Sequence, residues 1–141
     1  MLHQLSKAIK ILINKNPDSV KEAHFVGEWL SDEDEAAFKQ YISENGLQHI
    51  FKIHGKVNDR KLIKQFHTNA SVFLLPTYFS HEAQPVSIIE ALNAATPVIA
   101  TNHASIPEYI IDGYNGFLVD KQAPAQIAES IEKLMEPEQW K

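Results

Sequence analysis

The chain has 141 residues, 44% of them hydrophobic, which suits one domain whose core needs no disulfide or metal staple. Cysteine is absent, so disulfides and Cys-based metal sites are excluded. With 13 Lys and Arg against 18 Asp and Glu the formal net charge is −5, and so acidic a chain is not expected to bind nucleic acid, whose phosphates need basic clusters.

The opening MLHQLSKAIKILINKNPDS is interrupted by Lys7, Lys10 and Lys15 and has no signal-like apolar core. No later stretch approaches a membrane span, so a soluble cytoplasmic protein is expected.

Leu2, Leu5, Ile9, Leu12 and Ile13 recur at helical spacing and predict an amphipathic helix over residues 2–15, with Lys7 on its solvated face. Asn16-Pro17-Asp18 stops it. Ala23–Gly27 reads as a short strand. Ser31, with Asp34 three positions on, resembles a capping box opening a helix that buries Phe38, Tyr41 and Ile42 and ends at Asn45-Gly46. The acidic run Asp32-Glu33-Asp34-Glu35 suits the start of that helix electrostatically and needs no function. Trp29 is read as a packing residue.

The unit then repeats. Ile50–His54 is a strand followed by Gly55, and Asn58 or Asp59 caps a helix with Leu62, Ile63 and Phe66 inside. Ser71–Leu75 is a third strand, Pro85–Ala95 a helix and Pro97–Ala100 a fourth strand. A helical turn near Pro107–Ile111 precedes Asp112-Gly113, Phe117–Val119 is a fifth strand, and Pro124 starts a last helix carrying Ile127, Ile131 and Leu134. No linker interrupts the chain, so residues 1–141 are read as one domain.

Alternating strands and helices predict an α/β fold, a Rossmann-like parallel sheet of about five strands with helices on both faces. Strands that are apolar throughout agree with burial on two faces. Ligands of such sheets bind outside the carboxyl ends of the strands, which puts Glu82 in one of the loops to watch. Beyond it the free N–H groups of Val86, Ser87 and Ile88 open a helix and suit a phosphate, while Glu82 and Glu90 suit hydroxyls. Taken alone, the two glutamates are also what a solvated loop and an exposed helix position would carry.

The seven histidines are scattered, at 3, 24, 49, 54, 67, 81 and 103, without a ligand spacing for a metal. His81, beside Glu82, and His103, after the fourth strand, are secondary candidates for the crevice; for His81 an ordinary loop histidine is the favoured reading. Glu108 is read as tying its turn. No Gly-x-Ser-x-Gly elbow supports a hydrolase.

Residues 71–119, SVFLLPTYFSHEAQPVSIIEALNAATPVIATNHASIPEYIIDGYNGFLV, resemble the donor-binding half of the GT-B retaining glycosyltransferases of group 1. The matching features, in order, are Pro76, the Glu82-x7-Glu90 pair, the Ala-rich Ala91–Ala95, Pro97–Thr101, Ile106-Pro107-Glu108 and Asp112–Gly116. FVGEW at 25–29 and FKIHGKV at 51–57 resemble the family's preceding strands. The resemblance implies half of a GT-B fold. It implies Glu82 near the reacting centre, holding hydroxyls of the transferred sugar. The backbone of Ala83, Gln84, Pro85, Val86 and Ser87 would surround sugar and diphosphate, although Pro85 has no N–H to offer. Glu90 would take the ribose hydroxyls, and the loop carrying Val57 would face the base. No cofactor or catalytic metal is implied.

Departures from the family are also visible. Glu82-Ala83-Gln84 stands where Glu-Gly-Phe is frequent, and Ala104-Ser105 where Gly-Gly precedes Ile-Pro-Glu. The family's first strand, ending in Gly-Arg with a Lys soon after to clamp the diphosphate, has no counterpart here, nor has the acceptor-binding amino-terminal half. The expectation is therefore a fragment of a two-domain hexosyltransferase, inactive by itself. Its full-length form would meet a glycan, lipid or small acceptor, with peripheral membrane association open to it. A non-catalytic nucleotide-sugar-binding module is the alternative. The family's first strand is central in the order 3-2-1-4-5-6, so the strands at Ala23–Gly27 and Ser71–Leu75 are expected to close up and pair, or to take a strand from a second copy.

Overall fold

The structure, a computed structural model, describes residues 2–26, 29, 31–75, 86–102 and 106–135. Helix α1 (Leu2–Lys15) is followed by β1 (Ala23–Val26), α2 (Asp32–Glu44), β2 (Phe51–Gly55), α3 (Arg60–Asn69) and β3 (Phe73–Leu75). Then come α4 (Val86–Asn93), β4 (Val98–Thr101), a short helical turn (Ile106–Glu108), β5 (Gly116–Val119) and α5 (Pro124–Met135). All pairings are parallel: β1 with β2, β3 with β4, and β4 with β5.

The helix boundaries have local causes. The Ser31 side chain accepts from the Asp34 N–H at 3.1 Å, and Asp59 caps α3 by accepting from the Lys61 N–H at 2.9 Å. Gly46, at φ +68°, turns the chain out of α2. Helix α4 ends two residues before the expected Ala95: the Thr96 N–H reaches back to Ala91 C=O at 2.9 Å and the Ala95 N–H to Leu92 C=O at 3.0 Å, with Ala95 at φ +59°. That is a Schellman ending with alanine where glycine is usual.

Strand boundaries shift by a residue or two, one for a local reason and one for a distant one. Ile50 gives its N–H to Leu47 C=O at 3.0 Å, so the β2 ladder starts at Phe51. Strand β3 starts at Phe73, whose N–H takes Pro97 C=O at 2.9 Å, because Pro97 itself has no N–H with which to continue the ladder. In β5, Gly116 lies so close to Val98 that a Cβ there would stand 1.9 Å from its carbonyl oxygen.

Side-chain parity makes the layers. Ile99, Phe117 and Val119 face a cluster containing Ala8 and Leu12 of α1 and Ile127, Ala128 and Ile131 of α5. Val98 and Ala100 face the opposite way, onto Ile88 and Ala91 of α4 with Ile106 and Ile110. Every residue of β4 is buried, as a strand covered on two faces must be. A third cluster joins Ile9 of α1 to Phe38 and Ile42 of α2 and to Leu47, Ile50 and Phe51. Trp29 packs there as expected, its ring 5.4 Å from that of Phe38.

One expectation is corrected. Strands β1 and β3 do not pair; the sheet is two pieces, β1-β2 and β3-β4-β5. Helix α1 explains why closure fails, since Ile9 is packed in one cluster while Ala8 and Leu12 are packed in another.

Candidate functional site

The loop after β3 and the start of α4 carry most of the expected site. Glu82, Ala83, Gln84, Pro85, His81 and His103 lie outside the described residues. Val86 and Ser87 are the first two residues of α4, as expected, and Val57 is half-buried in the loop after β2. Parallel pairing of β3 and β4 requires α4 to start at the carboxyl edge of the sheet and run back, so its free N–H groups belong to that edge.

Glu90 lies in the second turn of α4 and lines a groove of about 340 Å³ between α3 and α4, together with Arg60, Lys64, His67, Asn93 and Ala94. The lining has helical spacing: positions 60, 64 and 67 form a stripe on α3, facing 90, 93 and 94 from the end of α4. Arg60 Nη1 donates to Glu90 Oε1 at 3.0 Å, and His67 Nε2 stands 3.6 Å from Oε2, within ion-pair reach but beyond a hydrogen bond. The His67 ring meets Phe73 edge-on at 5.1 Å, and its backbone carbonyl accepts the Thr96 hydroxyl. The groove thus presents one carboxylate, held by one exposed and one buried partner, with Lys64 adding a further positive charge. Such a carboxylate accepts hydrogen bonds from hydroxyls, and its cations favour a ligand with negative charge close by.

Other motif residues turn out to be scaffold. Asn115 Oδ1 accepts from the Ile111 N–H at 2.8 Å and its Nδ2 donates to Tyr109 C=O at 3.0 Å, while Asp112 Oδ1 accepts from the Leu118 N–H at 2.9 Å. The Asp112–Gly116 segment therefore shapes its own loop. Thr101 ends β4 at the carboxyl edge with its hydroxyl buried and without a hydrogen-bond partner among the described residues.

Two relationships were missed in the sequence. One is the stripe on α3, legible as Arg60, Lys64 and His67 at i, i+4 and i+7 opposite the second glutamate. The other joins two of the histidines: His24 Nδ1 lies 2.8 Å from His54 Nε2 across β1 and β2, with Phe66 against both rings. Glu22 Oε2 is 3.0 Å from the other nitrogen of His24. With Glu22 accepting from His24, the bond between the rings runs from His54 Nε2–H to His24 Nδ1. The carboxylate and the second imidazole hold opposite nitrogens of one ring, so these three do not converge on a metal. Among the described residues no group of three or more His, Asp or Glu does.

Two parallel sheet pieces, β2-β1 and β3-β4-β5, with helices packed on them match the Rossmann-like half of a GT-B transferase, β4 being buried on both faces and β2 largely exposed. The chain belongs to the family described as Glycosyl transferases group 1, whose profile matches residues 1–140. It is similar to the D-inositol 3-phosphate glycosyltransferase of Arthrobacter sp. (strain FB24), 32% identical over 130 residues, covering 92% of this chain and 30% of that one. An uncharacterized glycosyltransferase of Methanocaldococcus jannaschii is 28% identical over 134 residues, covering 94% of this chain and 36% of that protein. The chain thus spans about a third of the length of these curated relatives.

Among solved structures, Anabaena Alr3699/HepE in complex with UDP and glucose superposes with a TM-score of 0.81 at 26% identity, over 97% of this chain and 35% of that one. The C-terminal domain of the group 1 family protein LpcC from Francisella tularensis gives a TM-score of 0.80 at 24% identity, over 96% of this chain and 68% of that one, a likeness of fold.

Proposed function

We propose that the chain is the nucleotide-sugar-binding domain of a retaining glycosyltransferase that moves a hexose from a nucleoside-diphosphate donor to a glycan, lipid or small acceptor. The observation that carries this reading is Glu90, a hydroxyl acceptor in the second turn of α4 that faces Arg60 and Lys64 across a groove, in a chain of the group 1 family. The relative crystallised with UDP and glucose supports the ligand class.

In this reading Glu90 takes the ribose hydroxyls, the loop at Val57 faces the base, and the backbone of Ala83–Ser87 surrounds the diphosphate and sugar. Glu82 holds the hexose near the reacting centre. No metal or cofactor is assigned to the chemistry. Residues 1–141 act as one domain, cytoplasmic, with the acceptor bound by residues outside this chain. No described helix is long and apolar enough to cross a membrane. The open edges of β1 and β3 are a place for self-association, which sedimentation at several concentrations tests: an invariant monomer removes that part.

Titration with UDP-glucose and with GDP-mannose, followed by amide NMR, tests the whole. Shifts at Val57 and over Val86–Glu90 are expected. Shifts confined to α1 and α5, with the start of α4 silent, would sink it.

A further inference from the structure

The two oxygens of Glu90 keep different company. Oε2 faces His67, whose side chain is 8% exposed, whereas Oε1 is bonded to Arg60, whose side chain is 81% exposed. The buried partner is fixed at both ends, with its ring edge-on to Phe73 and its carbonyl taken by Thr96. The exposed partner is hydrated, flexible and screened by salt, so its hold on the carboxylate is weak.

We propose that His67 is a positioning residue that sets the orientation of Glu90 from inside the groove. Arg60 is then a displaceable cap, whose place on Oε1 is taken by the vicinal hydroxyls of a bound ribose. The inference rests on the reading of Glu90 as the ribose acceptor. Its physical content is an asymmetry. A ligand that must displace a guanidinium competes with a surface ion pair, and added salt weakens that competitor. An uncharged ribonucleoside should therefore bind more tightly as salt rises, the reverse of the usual trend for a phosphorylated ligand. Lys64, which also lines the groove, keeps it positive whether Arg60 is on or off the carboxylate.

The test uses uridine and guanosine, each against its 2′-deoxy counterpart, titrated at low and at moderate salt with amide shifts read over Ser87–Ala91. His67→Leu should cut the preference for the ribo form by about threefold, the scale of a polar contact longer than a hydrogen bond. His67→Gln, whose amide can reach and donate to Oε2, should keep the preference. If His67→Leu unfolds, His67→Asn, shorter by one methylene than Gln, takes its place with the same expectation of loss. Arg60→Gln should keep the ribo preference, bind ribonucleosides about twofold more tightly and lose their salt dependence.

A wild-type preference in His67→Leu, or weaker ribonucleoside binding in Arg60→Gln, overturns the inference. Glu90→Gln separates the two levels. If that variant keeps the ribo preference, the reading of Glu90 has failed. If it loses the preference while the His67 and Arg60 variants match wild type, the acceptor stands and only the roles of its partners fall.

Discussion

The hydroxyl of Thr96 donates to the backbone carbonyl of His67, joining the last turn of α3 to the turn that ends α4. Both residues are buried, and this bond ties together the two helices that line the Glu90 groove. Thr96→Val keeps the shape and deletes the donor, leaving a buried carbonyl short of its partner. The expected loss is about 1–2 kcal/mol in urea unfolding. A variant as stable as wild type would show that water or relaxation replaces the bond.

Ala95 stands in the left-handed region at the end of α4, where an L side chain is disfavoured by roughly 1 kcal/mol. Ala95→Gly relieves that strain and loses part of the gain through greater freedom of the unfolded chain. A net stabilisation of about 0.5–1 kcal/mol is expected, read as a higher urea midpoint at unchanged slope. A lower midpoint would count against the strain.

Gly116 fits against the backbone of Val98 with no space for a methyl group. Unlike the flexible end of a side chain, a carbonyl in a parallel ladder cannot step aside. Gly116→Ala should cost at least about 3 kcal/mol or prevent folding. Circular dichroism and urea unfolding decide, and a variant within about 1 kcal/mol of wild type refutes so tight an approach.

The two glutamates should fail differently. Glu90→Ala should weaken UDP or GDP more than the 2′-deoxy forms, since a lost acceptor matters where its donor is present. Glu82→Ala should leave the free diphosphates nearly unchanged, weaken the sugar conjugates, and lower turnover in a catalytically complete protein. Calorimetric titration of the three ligand classes is the measurement. Equal losses everywhere would make both glutamates structural.

Much of the fold was legible because its causes are local. Ser31 caps the helix it was expected to open, Asp59 is the one of the pair Asn58 and Asp59 that caps α3, and Pro124 begins α5. The apolar run at β4 is buried throughout because two clusters use its alternate residues. What escaped was set by neighbours distant in the chain. The ladder end at Phe73 depends on Pro97, which a scan for apolar runs does not weigh. The separation of β1 from β3 depends on α1 filling two clusters at once. At the site, Glu90 was singled out from its place in a motif, but its partners lie on another helix. Only the 60, 64, 67 spacing on α3 could have announced them.

The break in the sheet decides how the molecule can deform. Within each piece, hydrogen-bonded ladders resist shear; across the seam between β1 and β3 no such ladder exists, and load passes through side chains alone. Two helices carry it. On one face α1 reaches both pieces through Ile9 and through Ala8 and Leu12; on the other, α3 sets Phe66 against His24 and His67 against Phe73. A torsion of one half-sheet against the other breaks no ladder and loads these side-chain contacts on α1 and α3. The Arg60–Glu90 and Thr96–His67 bonds cross from α3 to α4 and its closing turn, so that same torsion stretches or relaxes them. A ligand that takes Arg60's place on Glu90 removes one of these two bonds and leaves Thr96–His67 to resist the torsion.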